Sequence, residues 1–175
     1  MIALLIQSLL SGGVSYTTST FSSTLTMNST MFTRHNGNAW GLYYCEVIEL
    51  NFSTNGFYSI ESNSSIDLYG FIYNNSFDSL SPSTNRLTWD NDNAGNRQFQ
   101  ILLNVNGANN YILVVTTFAI NVVGPFSIII RGLADVGFSP SIQPGMSETN
   151  PWSFFLATMW YSLVLKVYSL MQRNQ

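Results

Sequence analysis

Arg97–Arg131, RQFQILLNVNGANNYILVVTTFAINVVGPFSIIIR, carries three strand signals in succession, separated by turn residues. Phe99, Ile101, Leu103 and Val105 recur at period two with Gln98, Gln100 and Asn104 between them, the pattern of a strand with one buried face. Tyr111 to Phe118 is apolar or β-branched throughout, as expected of a strand buried on both faces in the middle of a sheet. Asn106, Gly107, Asn109 and Asn110 lie between these runs. They tolerate φ > 0 and read as a hairpin connection. Gly124 and Pro125 open a third run in which Phe126, Ile128 and Ile130 share one face. Together these runs predict the core of an antiparallel all-β domain, with Phe99, Ile101, Val114, Phe126 and Ile128 inside.

Upstream, the pattern continues. A first strand is expected near Ser29 to Arg34, and Asn36-Gly37-Asn38 marks the turn after it. In the next strand, Tyr43 to Leu50, Glu46 shares parity with Ile48 and Leu50 while Cys45 and Val47 take the other face. Either a bulge or a sheet buried on both sides accounts for that. Asn55-Gly56 reads as a hairpin signal before Phe57 to Ser62. Ile66 to Tyr73 and Leu87 to Trp89 complete about eight strands at the spacing of a β-sandwich or jelly roll. The expected domain is 29–132. It is preceded by an apolar segment and Ser/Thr-rich linker, 1–28, and followed by a Pro/Gly connector, 133–151, and a hydrophobic helix, 152–175.

At 175 residues the chain is long enough for one sizeable core plus tails. Only 9% of residues are charged and the net charge is −3. With one lysine, Lys166, there is no basic stripe to neutralise phosphates, which argues against nucleic acid. Solubility must rest on Ser, Thr and Asn, a balance commoner in extracellular β-domains than in cytoplasmic enzymes. Cys45 is the only cysteine, so no internal disulfide forms, and its apolar surroundings predict a core residue. Glycosylation sequons begin at Asn28, Asn51, Asn63 and Asn74.

The apolar run Met1–Leu10 precedes Ser11, Gly12 and Gly13, the order of a signal peptide without its positive n-region. It reads as a secretion signal or truncated anchor, or as an ordinary strand or helix. Trp152 to Met171 carries aromatic residues near both ends, with Lys166 and Arg173 on one side. That suits a membrane tether with the sandwich outside, or a packed or interfacial helix.

The order of motifs resembles the bacterial-type pre-peptidase C-terminal domain, a jelly-roll sandwich of secreted and modular extracellular proteins. The matching residues are Tyr43-Tyr44, the strand Gly56 to Ile60, Asp67 with Phe71-Ile72-Tyr73, the acidic turn at Asp90 and Asp92, Tyr111 to Val115, and Gly124 to Ile128. The chain departs from the family at the acidic turn, DNDNAG, where adjacent acidic residues before a glycine pair are usual. The resemblance implies an accessory or adhesive extracellular domain and does not imply catalysis.

Asp90, Asp92 and Asn93 offer side-chain oxygens that a hard cation such as calcium takes, although Ala94 and Ile101 break the EF-hand template. The loop reads first as a solvated hairpin turn and second as a weak calcium site. His35 is the only histidine, which excludes a multi-histidine metal site, and no G-x-S-x-G elbow occurs. Trp40, Tyr43, Tyr69 and Tyr73 are candidates for a carbohydrate-stacking platform, or for core packing. The expected function is a non-catalytic extracellular or cell-surface binding or adhesion module for a protein or carbohydrate ligand. The alternatives are an accessory domain assisting a secreted hydrolase, and a weak calcium-binding structural domain.

Overall fold

The computed structural model describes residues 15–36, 39–107 and 109–140. The expectations for Met1–Leu10, most of the 133–151 connector and Trp152–Met171 fall outside the described residues. The chain divides into two units, Met1–Ser141 and Ile142–Gln175, and all that follows concerns the first.

Ten strands form: β1 Thr17–Leu25, β2 Thr30–Asn36, β3 Ala39–Phe52, β4 Gly56–Asn63, β5 Leu68–Asn74, β6 Arg86–Asp90, β7 Gln100–Val105, β8 Tyr111–Thr117, β9 Gly124–Gly132 and β10 Val136–Pro140. Among the described residues there is no helix, and none therefore that is long and apolar enough to cross a membrane. The strands make a four-stranded sheet in the order β1-β9-β4-β7 and a six-stranded sheet in the order β10-β3-β8-β5-β6, with β2 added on β3. Every paired neighbour is antiparallel. The order 1-9-4-7 facing 3-8-5-6 is that of an eight-stranded jelly roll, to which β2 and β10 are additions. Cys45 pairs with Thr30 on one side and Thr116 on the other, so β2 and β10 lie in succession along the same side of the long β3.

Between the sheets, strand alternation builds the main core. Phe99, Ile60, Leu68, Ile72, Leu113, Val115 and Ile128 are fully buried there, together with Ile101 and Phe126. Each such side chain contributes about 1.5–3 kcal/mol through burial. The packing is close enough that small residues are required at two contacts. A β-carbon on Gly132 would run into the Tyr58 ring, and one on Gly70 would lie 2.8 Å from the Phe99 ring.

The imperfect alternation of β3 is resolved by burial on both sides rather than by a bulge. Ile48 and Leu50 enter the main core, whereas Cys45 and Val47 join a second cluster on the outer face of the six-stranded sheet. β8 is buried at all seven positions for the same reason, and Val114 belongs to that second cluster.

Three expectations are corrected. The Ser/Thr-rich stretch before residue 29 is not a linker, because β1 occupies Thr17–Leu25 and pairs along its whole length with β9. β10 likewise extends the sandwich past residue 132 into the expected connector. Neither Asn55-Gly56 nor Asn106 to Asn110 closes a hairpin, since β3 and β4, like β7 and β8, lie in opposite sheets. Turn residues report a reversal of the chain. They do not report whether the next strand pairs with the last one or crosses the sandwich.

Candidate functional site

The second cluster arises because β5 carries large side chains on both faces. Leu68 and Ile72 point inward, and Tyr69, Phe71 and Tyr73 point outward to meet Ile112 and Val114 of β8. Phe32 of β2 and Phe77 of the β5–β6 connection close on this surface edge-on. Phe32 lies 6.1 Å from Phe71 and 5.5 Å from Phe77, with interplanar angles of 89° and 83°. Aromatic pairs favour such geometry because a positive ring edge meets a negative face.

Towards β6 the rings stack instead. Phe71 and Tyr69 are 4.8 Å apart at 25°, and Tyr69 and Trp89 are 5.5 Å apart at 23°. Trp89 ends this stack at the sheet edge and is 52% exposed. Tyr69 also carries a cation. The Arg34 guanidinium sits 4.0 Å from the Tyr43 ring centre and 4.4 Å from that of Tyr69, and donates from Nη1 to Thr117 O at 2.8 Å and from Nη2 to Phe118 O. Burial lowers the Arg34 pKa from its ordinary value, and the contact with Tyr43 opposes that shift.

Beside Trp89, where the edges of β6 and β7 approach, lies a groove of about 400 Å³ lined by Thr88, Trp89, Asp90, Asn93, Gln100 and Leu102. Its floor is fixed by Asp90, whose Oδ2 accepts the backbone N–H groups of Asn93 at 3.0 Å and Gln100 at 2.8 Å. On the outer face of the four-stranded sheet Gln100 also donates to Ser59 and Glu61, and Arg131 donates to Glu61 Oε2 at 2.6 Å. Partial burial pushes the Glu61 carboxyl up, but the bonds from Arg131, Ser59 and Gln100 outweigh it and hold its pKa below the ordinary value.

Of the residues singled out for cation binding, Asp90 is spent on the loop backbone and Asp92 Oδ2 accepts the Asn91 amide at 2.6 Å. A cation there would compete with these bonds. Among the described residues no three His, Cys, Asp or Glu side chains converge on a common point. Asp67 stands near this loop with its pKa raised, first by burial and then by the charge of Asp92.

Of the stacking candidates, Tyr43 and Tyr69 are brought together around Arg34 and both are buried. Tyr73 is also buried and donates its hydroxyl to Pro82 O at 2.8 Å. Trp40 lies on β3, and its side chain is outside the described ones. Trp89, a residue of the short strand β6 outside that set, presents an exposed ring stacked on Tyr69. Its signal was present in Leu87 and Trp89, two large side chains alternating on a strand too short to be central.

Cys45 is buried, and burial followed by the neighbouring Glu46 charge pushes its thiol up to about 12, so it stays protonated. Of the sequon asparagines, Asn28, Asn51 and Asn63 are exposed and Asn74 is half-buried; the Asn51 amide donates to Ser139 Oγ. Compared with protein-family models and with curated proteins, the chain matches none.

Proposed function

We infer that the domain is a non-catalytic extracellular binding module whose ligand surface is the β6–β7 edge around Trp89. The observation that carries this reading is a half-exposed indole held rigid by Tyr69 and Phe71 behind it, next to a groove bearing amide and hydroxyl side chains. A flat, immobile aromatic face suits the C–H face of a pyranose ring, and Asn93, Gln100 and Thr88 supply donors and acceptors for sugar hydroxyls. Carbohydrate is therefore the ligand class that this surface favours. Pre-organisation matters, because a ring already ordered in the free protein loses little entropy on binding.

The test is a glycan array and a polysaccharide pull-down with the full chain and with Trp89→Ala. Retention of the parent chain on at least one glycan class, lost in Trp89→Ala with the β-type circular dichroism spectrum intact, is the expected result. Absence of retention, or equal retention of both proteins, overturns the assignment.

A further inference from the structure

At the opposite edge of the four-stranded sheet, β1 is bonded to β9 on one side along all nine of its residues, in an uninterrupted register. Among the described residues nothing pairs with its other side, which therefore offers a row of N–H and C=O groups to another strand. The remaining edges are blunted. β6 is short and begins and ends in charge, at Arg86 and Asp90, β10 is equally short and ends at Pro140, and β2 carries Arg34. β7 is shorter than β1 and has β6 beside it. β1, TTSTFSSTL, has no charge, no proline, no glycine and no bulge.

Apart from its ends, Thr17 and Leu25, its side chains also read alike in both directions about Phe21. Thr18 mirrors Thr24, Ser19 mirrors Ser23, and Thr20 mirrors Ser22. An antiparallel pairing of the strand with itself, centred on Phe21, brings every residue into register and sets hydroxyl against hydroxyl at each exposed outer position. The opposite side of β1 already makes this contact, where the Ser22 and Ser127 hydroxyls lie 2.9 Å apart across a β1–β9 pair. On the inner face Phe21 is only partly buried, 6.5 Å from Phe126 and 5.4 Å from Phe138. At the two-fold axis it would meet its symmetry mate. A slip of two residues keeps the faces but sets Phe21 against Ser19 or Ser23 and shortens the ladder.

We propose that β1 is a self-association edge: two copies of this chain join β1 to β1 antiparallel about a two-fold axis through Phe21, fusing their four-stranded sheets edge to edge. The interface is isologous, so one strand supplies both halves. It lies at the β1 edge of the four-stranded sheet, whereas Trp89 lies on β6 at an edge of the other sheet, and neither proposal depends on the other.

The experiment is sedimentation equilibrium of the full chain over a concentration series, comparing the parent with Thr20→Lys/Ser22→Lys and with Thr20→Lys/Ser22→Glu. Both positions are exposed on the outer face, and circular dichroism checks the fold. A monomer–dimer equilibrium is expected for the parent. The double-lysine variant, with like charges facing across the axis, should weaken it by on the order of tenfold or more. The lysine–glutamate variant should restore it, since position 20 of one copy faces position 22 of the other. Independently, hydrogen exchange at the free-edge amides of β1 should slow as concentration rises. A parent that stays monomeric, a double-lysine variant that associates like the parent, a lysine–glutamate variant as weak as the double-lysine one, or β1 exchange that ignores concentration each overturns the proposal.

Discussion

The guanidinium carbon of Arg34 lies 4.0 Å from the centre of the Tyr43 ring, on a side chain only 1% exposed. Among the described residues no carboxylate is bonded to this buried cation, which is held by aromatic rings and by the carbonyls of Thr117 and Phe118. The planar fork reaches both carbonyls with its central carbon within 4.4 Å of two ring centres, which a compact ammonium cannot do. Arg34→Lys should therefore destabilise the domain by about 2 kcal/mol, measured by denaturant unfolding, although the charge is kept. Stability equal to the parent's would show that charge alone matters at this position.

Gly132→Ala should destabilise by about 1–3 kcal/mol, because the new methyl group runs into the Tyr58 ring inside a close-packed core. Tyr58 has little freedom to retreat, since its hydroxyl is bonded to Thr54 O and its ring lies 4.7 Å from Phe52. The melting temperature reports the outcome.

Glu46 and Glu61 should respond to pH in opposite senses. Burial raises the Glu46 pKa, partly offset by a Ser23 hydroxyl, so the folded state binds a proton more readily than the unfolded chain. Its charged form costs stability above the folded pKa, and that cost disappears as pH falls below the ordinary glutamate range. Glu46→Gln should thus melt higher than the parent at neutral pH, with the gap closing in acid. Glu61 has its pKa held down, so its stabilising contribution is present above the ordinary range and is lost as pH falls through the folded value. Glu61→Gln should cost about 0.5–1 kcal/mol at neutral pH and progressively less in acid. Melting curves of both variants across the acid range test the two signs.

Asp90→Ala strips the acceptor from the backbone N–H groups of Asn93 in the β6–β7 loop and of Gln100 at the start of β7, and should cost about 2 kcal/mol. Millimolar calcium should leave the melting temperature of the parent unchanged and Asp92→Asn should be nearly silent. A calcium-dependent rise would show that an ion bound to the native state competes successfully with the existing loop bonds.

Strands with apolar alternation could be read directly from the chain, and all eight expected segments became β2 to β9. The doubly buried β8 was legible too, because an unbroken apolar run admits no polar face. What the periodicity could not reveal was β1. Its inward positions are Thr17, Ser19, Phe21, Ser23 and Leu25, and both serines replace apolar contact with bonds, Ser19 to the Val136 N–H and Ser23 to Glu46. The signal for that strand was the β-propensity of threonine, not hydrophobicity. The ring platform was half legible for a similar reason. Sequence marks Tyr43, Tyr69 and Tyr73 as aromatic strand residues, but only the buried Arg34 and the second covered face of the sheet determine that they lie inside and that Trp89 lies at the rim.

Thr17 pairs with Gly132 across 115 residues of chain. On the ribosome, then, β1 is made before its in-sheet partner β9, and 115 residues at ordinary elongation rates separate the two by roughly 6–23 s. Throughout that interval both sides of an uncharged strand stand open. Ser and Thr side chains keep such a strand hydrated while it waits, where Val and Ile would drive premature collapse or aggregation. The hydroxyl-rich composition that conceals β1 from a hydrophobic reading is thus what a nascent chain needs when β1 must be held in reserve for β9.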